Sequence, residues 1–324
     1  ANYIGTKYAI GVSNGTDALV LAAKSLNISG STIAFFPANT FISTILGVES
    51  AIPNIKIELI DCNDYYLMDI DILSERIKKN RDLYKNAIIV PVHLYGQSCD
   101  MKEIISLSEE YNWLVIEDSS QAHGAIGYSN KIVGSYGDLS CFSLYPGKNL
   151  GAFGDAGIIT TNSIEINNKI KQLRNLGVSR KHYHEIKGFN HRLDAIQACV
   201  LTEKLKFLDK WNNRRIEIAN TYISKINNLQ LIMPQKGNFC QKHVYHVFCV
   251  RTNEREELIR YLTNKQIEIG IHYPILPEET PIYNNLGFFN EKSRKFSKEI
   301  ISLPIYPHMT DEEVQYVCDC CNLF

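Results

Sequence analysis

Four short stretches of this chain carry residue types that could do chemistry together. The first is Ser13-Asn14-Gly15-Thr16-Asp17, where an apolar run gives way to a helical pattern. Backbone N–H groups at a helix N-terminus, with a hydroxyl beside them, make a phosphate cradle. A turn with an N-cap is the alternative. The second is Val115-Ile116-Glu117-Asp118-Ser119-Ser120-Gln121-Ala122-His123. An apolar run ending in Glu-Asp delivers a carboxylate to the edge of a buried sheet, where it could meet a metal, a ribose hydroxyl or a protonated ring nitrogen. Asp118 could equally cap a helix. The third is Phe142-Ser143-Leu144-Tyr145-Pro146-Gly147-Lys148-Asn149, with Gly151, Gly154 and Gly157 following. Lys148 is either a solvated loop cation or an amine desolvated among small residues, fit to form a Schiff base. The fourth is Gly188-Phe189-Asn190-His191-Arg192, in which Asn190 either caps the long helix that follows or reaches a ligand. In this order, a phosphate cradle, an Asp at a strand end and a Ser five residues before a Lys are the groups that pyridoxal phosphate requires.

The elements that must position these groups alternate. Strands are expected at Tyr8–Ser13, Ile33–Pro37, Ile55–Asp61, Ala87–His93, Leu114–Asp118, Leu139–Leu144 and Gly157–Thr161, with helices between them and a further helix at Ser163–Leu173. That pattern predicts an α/β fold with a mostly parallel central sheet flanked by helices, and ligands beyond the carboxyl ends of the strands. One long helix is expected over His191–Asn227. Beyond it the texture changes to a smaller α+β unit: strands at Val244–Arg251 and Ile267–His272, helices at Glu254–Asn264, Ser293–Ile301 and Asp311–Cys318. The expected division is 1–205 for the large cofactor-binding domain and 206–324 for the small C-terminal one.

Composition narrows the function. With 324 residues, 34 Lys+Arg against 35 Asp+Glu and a formal charge of −1, nothing favours a nucleic acid or an acidic membrane as partner. No apolar stretch nears the ~18 residues of a membrane span, and no signal-peptide pattern opens the chain. Nine cysteines, an odd number, read as reduced thiols in the cytoplasm, with Cys141 and Cys249 buried. Cys318-Asp319-Cys320-Cys321 and the His182/His184 pair lack the further ligands of a metal site, so no metal is expected. The segment around His182 and His184 is expected to be a flexible loop over the active site, and Lys210, Trp211, Arg214 and Arg215 a solvated helix face.

Over nearly its whole length the chain resembles the DegT/DnrJ/EryC1/StrS family of sugar aminotransferases, of the aspartate-aminotransferase (type I) fold. The resemblance lies in Tyr8–Leu19, Pro37–Phe41, Pro91–Gln97, Ile116–Gly124, Phe142–Gly157, Gly188–Ala198 and Gly270–Pro274. It implies pyridoxal 5'-phosphate as cofactor, with Lys148 as the Schiff-base lysine and Asp118 as partner of the pyridinium nitrogen. It places Gln121 near the phenolic oxygen, Phe41 on the ring, and Gly15, Thr16 and Ser143 on the phosphate. Asn190 would reach the phosphate in a neighbouring subunit, which implies a homodimer with shared active sites. His93, Tyr95, His272 and Tyr273 are candidates for contact with the substrate. The implied reaction is ping-pong transfer of an amino group from L-glutamate to a keto-sugar carried by a nucleotide.

Gln121, followed by Ala122-His123-Gly124, resembles members that aminate C3 rather than C4. The expected acceptor is therefore a dTDP-linked 3-keto-6-deoxyhexose, then a UDP-linked 3-keto sugar. The product would serve surface polysaccharide such as lipopolysaccharide O-antigen. Relatives of this kind begin a few dozen residues before the equivalent of Ala1, with a segment that packs on the active site and dimer. Pro277-Glu278-Glu279-Thr280 also replaces a stretch that usually carries a His near the substrate. The competing readings are a chain that keeps the fold without catalysis, amination at C4, and a sugar dehydratase; the last has His in place of the lysine, and Lys148 argues against it.

Overall fold

The computed structural model describes residues 1–324. In chain order the elements are β1 (Tyr8–Val12), α1 (Gly15–Ser25), β2 (Thr32–Pro37), α2 (Ser43–Ala51), β3 (Lys56–Ile60), α3 (Ile70–Asn80), β4 (Asn86–Ile89), α4 (Met101–Tyr111), β5 (Leu114–Asp118), β6 (Leu139–Ser143), β7 (Gly157–Thr161) and α5 (Ile164–Leu173). A hairpin of β8 (Val178–Arg180) and β9 (Tyr183–His184) follows, then α6 (Ala195–Leu205), α7 (Leu208–Lys225), β10 (Phe248–Arg251), α8 (Arg255–Asn264), α9 (Glu291–Glu299), β11 (Ile300–Leu303) and α10 (Asp311–Leu323). No helix is long and apolar enough to cross a membrane.

Seven strands form one sheet in the order β1-β7-β6-β5-β4-β2-β3. The pairs from β3 through β6 are parallel, and β7 runs antiparallel to both β6 and β1. Buried on both faces, these strands read as continuous apolar runs. In β2 the side chains alternate between two cores: Ala34 and Phe36 face the core that holds α1, α2 and α5, while Ile33 and Phe35 face that of α3 and α4. Helix starts follow local chemistry. Asn14, Asp69, Asp100 and Ser163 each accept a backbone N–H of the first turn, and Thr310 with Glu313 forms a capping box on α10. A third core, drawn from Ile218 onward, packs α7, α8 and α10 on the β10–β11 pair.

Four expectations need correction. The helix expected over His191–Asn227 is two helices, broken at Lys206-Phe207, and begins only at Ala195. Of Val244–Arg251 only Phe248–Arg251 is strand, because the Val244 and His246 N–H groups donate to Gly96 and Tyr95 of the large sheet's edge. Ile267–His272 is irregular, joined to Ser302 by a single bridge at Gly270, and the partner of β10 is instead Ile300–Leu303, at the end of the expected Ser293–Ile301 helix. The segment with His182 and His184 is the β8–β9 hairpin: His182 sits in its turn at φ 65°, and His184 Nδ1 bonds the Leu176 carbonyl at 2.9 Å.

Arg215 also departs from the solvated face expected of it. It is buried, its Nη1 donates to the Ile305 carbonyl at 2.6 Å, and burial lowers its pKa to about 10. Cys318, Cys320 and Cys321 are buried on α10.

Candidate active site

Strands β5 and β6 end side by side, and both carry chemistry at that edge. Asp118 closes β5. Its Oδ2 accepts the Thr44 hydroxyl at 2.8 Å and its Oδ1 the Ser120 N–H at 3.1 Å, so two elements hold one carboxylate. The Thr44 hydroxyl is in turn 2.7 Å from that of Thr40. Lys148 follows β6 by a tight turn in which its own N–H donates to the Tyr145 carbonyl. The residue as a whole is half-buried, and desolvation of its amine holds it below the ordinary lysine range, with the Asp118 charge pulling the other way.

At the N-terminus of α1, a Cβ placed on Gly15 would stand 2.6 Å from the Ser143 Cβ. Only glycine lets this helix end approach β6 so closely, which brings Ser143 against the first turn of α1, where Thr16 is half-buried. Ser143 is held there by its N–H, which donates to Ser120 Oγ at 3.2 Å. A cradle that any side chain would fill, with a positive helix end and two hydroxyls, fits a phosphate. Phe41 lies half exposed, its ring 5.3 Å from that of Tyr273, where it can cover a flat heterocycle. The residues present therefore fit pyridoxal phosphate.

Gln121 is fixed from both ends: Oε1 accepts the Tyr95 N–H at 2.7 Å and Nε2 donates to the Tyr273 hydroxyl at 3.0 Å. Tyr95, at φ 59°, is the hub of this corner. Its carbonyl accepts the His246 N–H and its hydroxyl donates to the His272 carbonyl. That spends the hydroxyl expected to meet substrate, and Tyr95 acts on the site by positioning. His93 is a second correction. It is fully buried, with Nε2 3.0 Å from Glu117 Oε2 and Nδ1 accepting the Cys99 N–H, so no face is left for a sugar. His272 and Tyr273 are half-buried beside Gln121, and His272 Nδ1 bonds Ser302 Oγ at 2.8 Å. Asn190 is not brought to Lys148 within this chain: its side chain is exposed and accepts from Arg192 Nε.

Sequence reasoning missed several members of the site. Thr44 lies three residues after Phe41, one helical turn on, and that spacing was the available signal. His123 packs on Phe142 with both ring nitrogens buried and unpartnered. Burial, then the Lys148 charge, push its pKa down to about 3. His246 and His272 are lowered by the same two causes in the same order. Lys148 thus lies in the field of one carboxylate and of three imidazoles whose charged forms it disfavours. Pro277–Glu279 is a short 3-10 turn in which buried Glu278 accepts Arg294 Nε at 2.6 Å, a structural use of that segment.

Comparison with known proteins agrees with this geometry. A dTDP-3-amino-3,6-dideoxy-alpha-D-galactopyranose transaminase of Aneurinibacillus thermoaerophilus is 42% identical over 328 residues, covering 100% of this chain and 87% of the relative. A dTDP-3-amino-3,4,6-trideoxy-alpha-D-glucose transaminase of Streptomyces venezuelae is 34% identical over 98% of this chain and 83% of its own. The crystal structure of S. venezuelae DesV in complex with a ketimine intermediate superposes with a TM-score of 0.92 at 33% identity, over 100% of this chain and 86% of that one. Residues 1–322 match the DegT/DnrJ/EryC1/StrS aminotransferase family, to which the chain belongs: it is a pyridoxal-phosphate-dependent aminotransferase of nucleotide-linked sugars.

Proposed function

We propose that the chain moves an amino group from L-glutamate to the C3 keto group of a dTDP-linked 6-deoxyhexose, yielding an amino sugar for surface polysaccharide such as lipopolysaccharide O-antigen. The observation that carries this reading is the desolvated Lys148 amine in the field of Asp118, beside the Gly15–Ser143 cradle. The C3 choice is supported by Gln121 and by two relatives that act on dTDP-linked 3-amino sugars. Nine free cysteines support a reducing, cytoplasmic setting.

Bound pyridoxal phosphate supplies a carbon that carries the amino group and a ring that accepts electrons. Lys148 Nζ would hold the cofactor between turnovers and, as a free amine, would take a proton from the donor's α-carbon in one half-reaction and deliver one to the keto carbon of the sugar in the other. Asp118, fixed by Thr44 and Ser120, keeps a proton on the ring nitrogen. Gly15, Thr16 and Ser143 bind the phosphate, Phe41 covers the ring and Gln121 meets the phenolic oxygen. His272 and Tyr273 border the substrate.

Asn190 serves the phosphate of a second copy in a homodimer. The face that supports this pairing is α6, where Leu201 is the only buried residue and Ile196 is 69% exposed, near Phe153 at 76%. We place the division of the chain at 205/206, in the break between α6 and α7, supported by the separate core that begins at Ile218.

The test is an absorption spectrum of the protein with pyridoxal phosphate, before and after glutamate. The expected result is a visible band that bleaches with glutamate and returns with a dTDP-3-keto-6-deoxyhexose. In Lys148→Ala the band is absent and turnover is abolished; near-normal turnover of that variant would sink the assignment.

A further inference from the structure

The small unit carries a cleft of about 550 Å³ beside the constellation around Lys148. Ile267, Ile305 and Met309 give it an apolar wall, and His246 and His272, both within the field of Lys148, line it as well. The neighbours of His246 settle which ring nitrogen carries its hydrogen.

A backbone carbonyl can only accept, so the Val244 carbonyl, 3.1 Å from the Asn149 amide, must face its nitrogen. The His123 carbonyl orients Asn212 in the same way, taking a bond from Nδ2 at 2.7 Å. Asn212 Oδ1 then accepts the second Asn149 N–H at 2.9 Å. Both hydrogens of the Asn149 amide are used, and its Oδ1, 3.1 Å from His246 Nδ1, is left as an acceptor. The hydrogen between them therefore belongs to His246 Nδ1. Nε2 keeps its lone pair and makes no hydrogen bond within the chain. Asn149 and Asn212 are both buried, so water does not compete for this network.

We propose that His246 Nε2 accepts a hydrogen bond from a hydroxyl of the acceptor sugar and so sets the keto carbon against Lys148. The inference rests on the sugar-aminotransferase reading above. A lone pair attracts hydroxyl donors and repels carboxylates. The amino-acid donor carries two carboxylates and no hydroxyl, and its one donor group is the amine consumed at the reacting centre, so it gains nothing from His246. The imidazole separates the two half-reactions that share Lys148.

Two measurements test this. The first follows each half-reaction by rapid absorbance in the wild type, in His246→Asn, which keeps an amide N–H near the place of Nδ1 but removes the Nε2 acceptor, and in His246→Ala. The expected result for His246→Asn is a glutamate half-reaction within about twofold of wild type and an about tenfold fall in kcat/KM for the keto-sugar. The second is the ¹⁵N spectrum of His246 in the substrate-free enzyme, expected to show Nδ1 protonated and Nε2 bare, with Nε2 shifting when the sugar is added.

A protonated Nε2 in an active enzyme overturns the contact, as does a parallel fall of both half-reactions in His246→Asn, which would mark His246 as a support for Lys148 alone. A wild type that never reacts with glutamate overturns the aminotransferase reading and the sugar contact with it, whatever the spectrum shows.

Discussion

Glu117 and Asp118 are neighbours on β5, point to opposite faces of the sheet, and have opposite surroundings. Glu117 is completely buried and saturated. Its Oε1 accepts the N–H groups of Tyr136 and Gly137, each at 2.8 Å, and its Oε2 accepts that of Gly134 at 2.9 Å and meets His93 at 3.0 Å. Asp118 accepts only Thr44 and Ser120 and keeps acceptor capacity on the side of Lys148. One carboxylate closes a loop and has nothing left to give; the other is anchored but incomplete. Burial is shared by the two, and spare bonding capacity is what separates the functional group from the structural one.

The sharpest way to break this comparison is Asp118→Asn. It should keep the fold and lower kcat/KM by about 10²–10⁴-fold, about 3–5 kcal/mol of transition-state stabilisation. Melting temperature and steady-state rate measured on the same preparation decide it, and a variant that melts early would place Asp118 with Glu117. Glu117→Ala should do the reverse. It leaves three backbone N–H groups and His93 without an acceptor and should cost about 3–5 kcal/mol in urea unfolding. A loss below about 1 kcal/mol would show that the saturated cluster is not structural.

Acid should act through the buried imidazoles. His123 and His243 each have a folded-state pKa lowered from 6.5 to about 3, chiefly by burial. The unfolded chain binds those protons first, so the contribution of both groups is complete above pH 6.5 and is lost as pH falls from 6.5 toward 3. Urea midpoints at pH 7.5, 6 and 5 should fall steadily, and His123→Phe should make the decline shallower. The smallest effect is expected of Thr44→Val, which removes one of the two anchors of Asp118. It should weaken retention of pyridoxal phosphate about tenfold in a dialysis assay while leaving the unfolding midpoint near that of wild type.

The large sheet was legible because its central strands β2, β4 and β5 are largely buried apolar runs bounded by turn residues, and the chain order Gly15, Asp118, Ser143, Lys148 could be read straight from the residues. What escaped was whatever depends on contacts between distant segments. The Ile300–Leu303 strand is four residues long and follows a helix directly, so its run of apolar residues extends the helical pattern without a break. The strand character expected of Val244–Val247 was diverted by Tyr95 and Gly96, some 150 positions earlier. His93 ends the strand expected at Ala87–His93, where ligands gather, yet β4 stops at Ile89 and a glutamate on the neighbouring strand claims the imidazole. Thr44, Asn149 and His246 are ordinary polar residues in sequence, and only their partners give them a role.

The bonds of Tyr95 have a consequence for how the protein comes to be active. Its N–H orients Gln121, while its carbonyl and hydroxyl are satisfied by His246 and by the His272 carbonyl. During synthesis Gly15, Asp118 and Lys148 leave the ribosome long before residues 246 and 272. The Tyr95 N–H can meet Gln121 as soon as both have been made, whereas the bonds of the Tyr95 carbonyl and hydroxyl, and that from Gln121 to Tyr273, wait for the small unit. This corner of the site is therefore finished only when the last quarter of the chain has folded onto the large sheet.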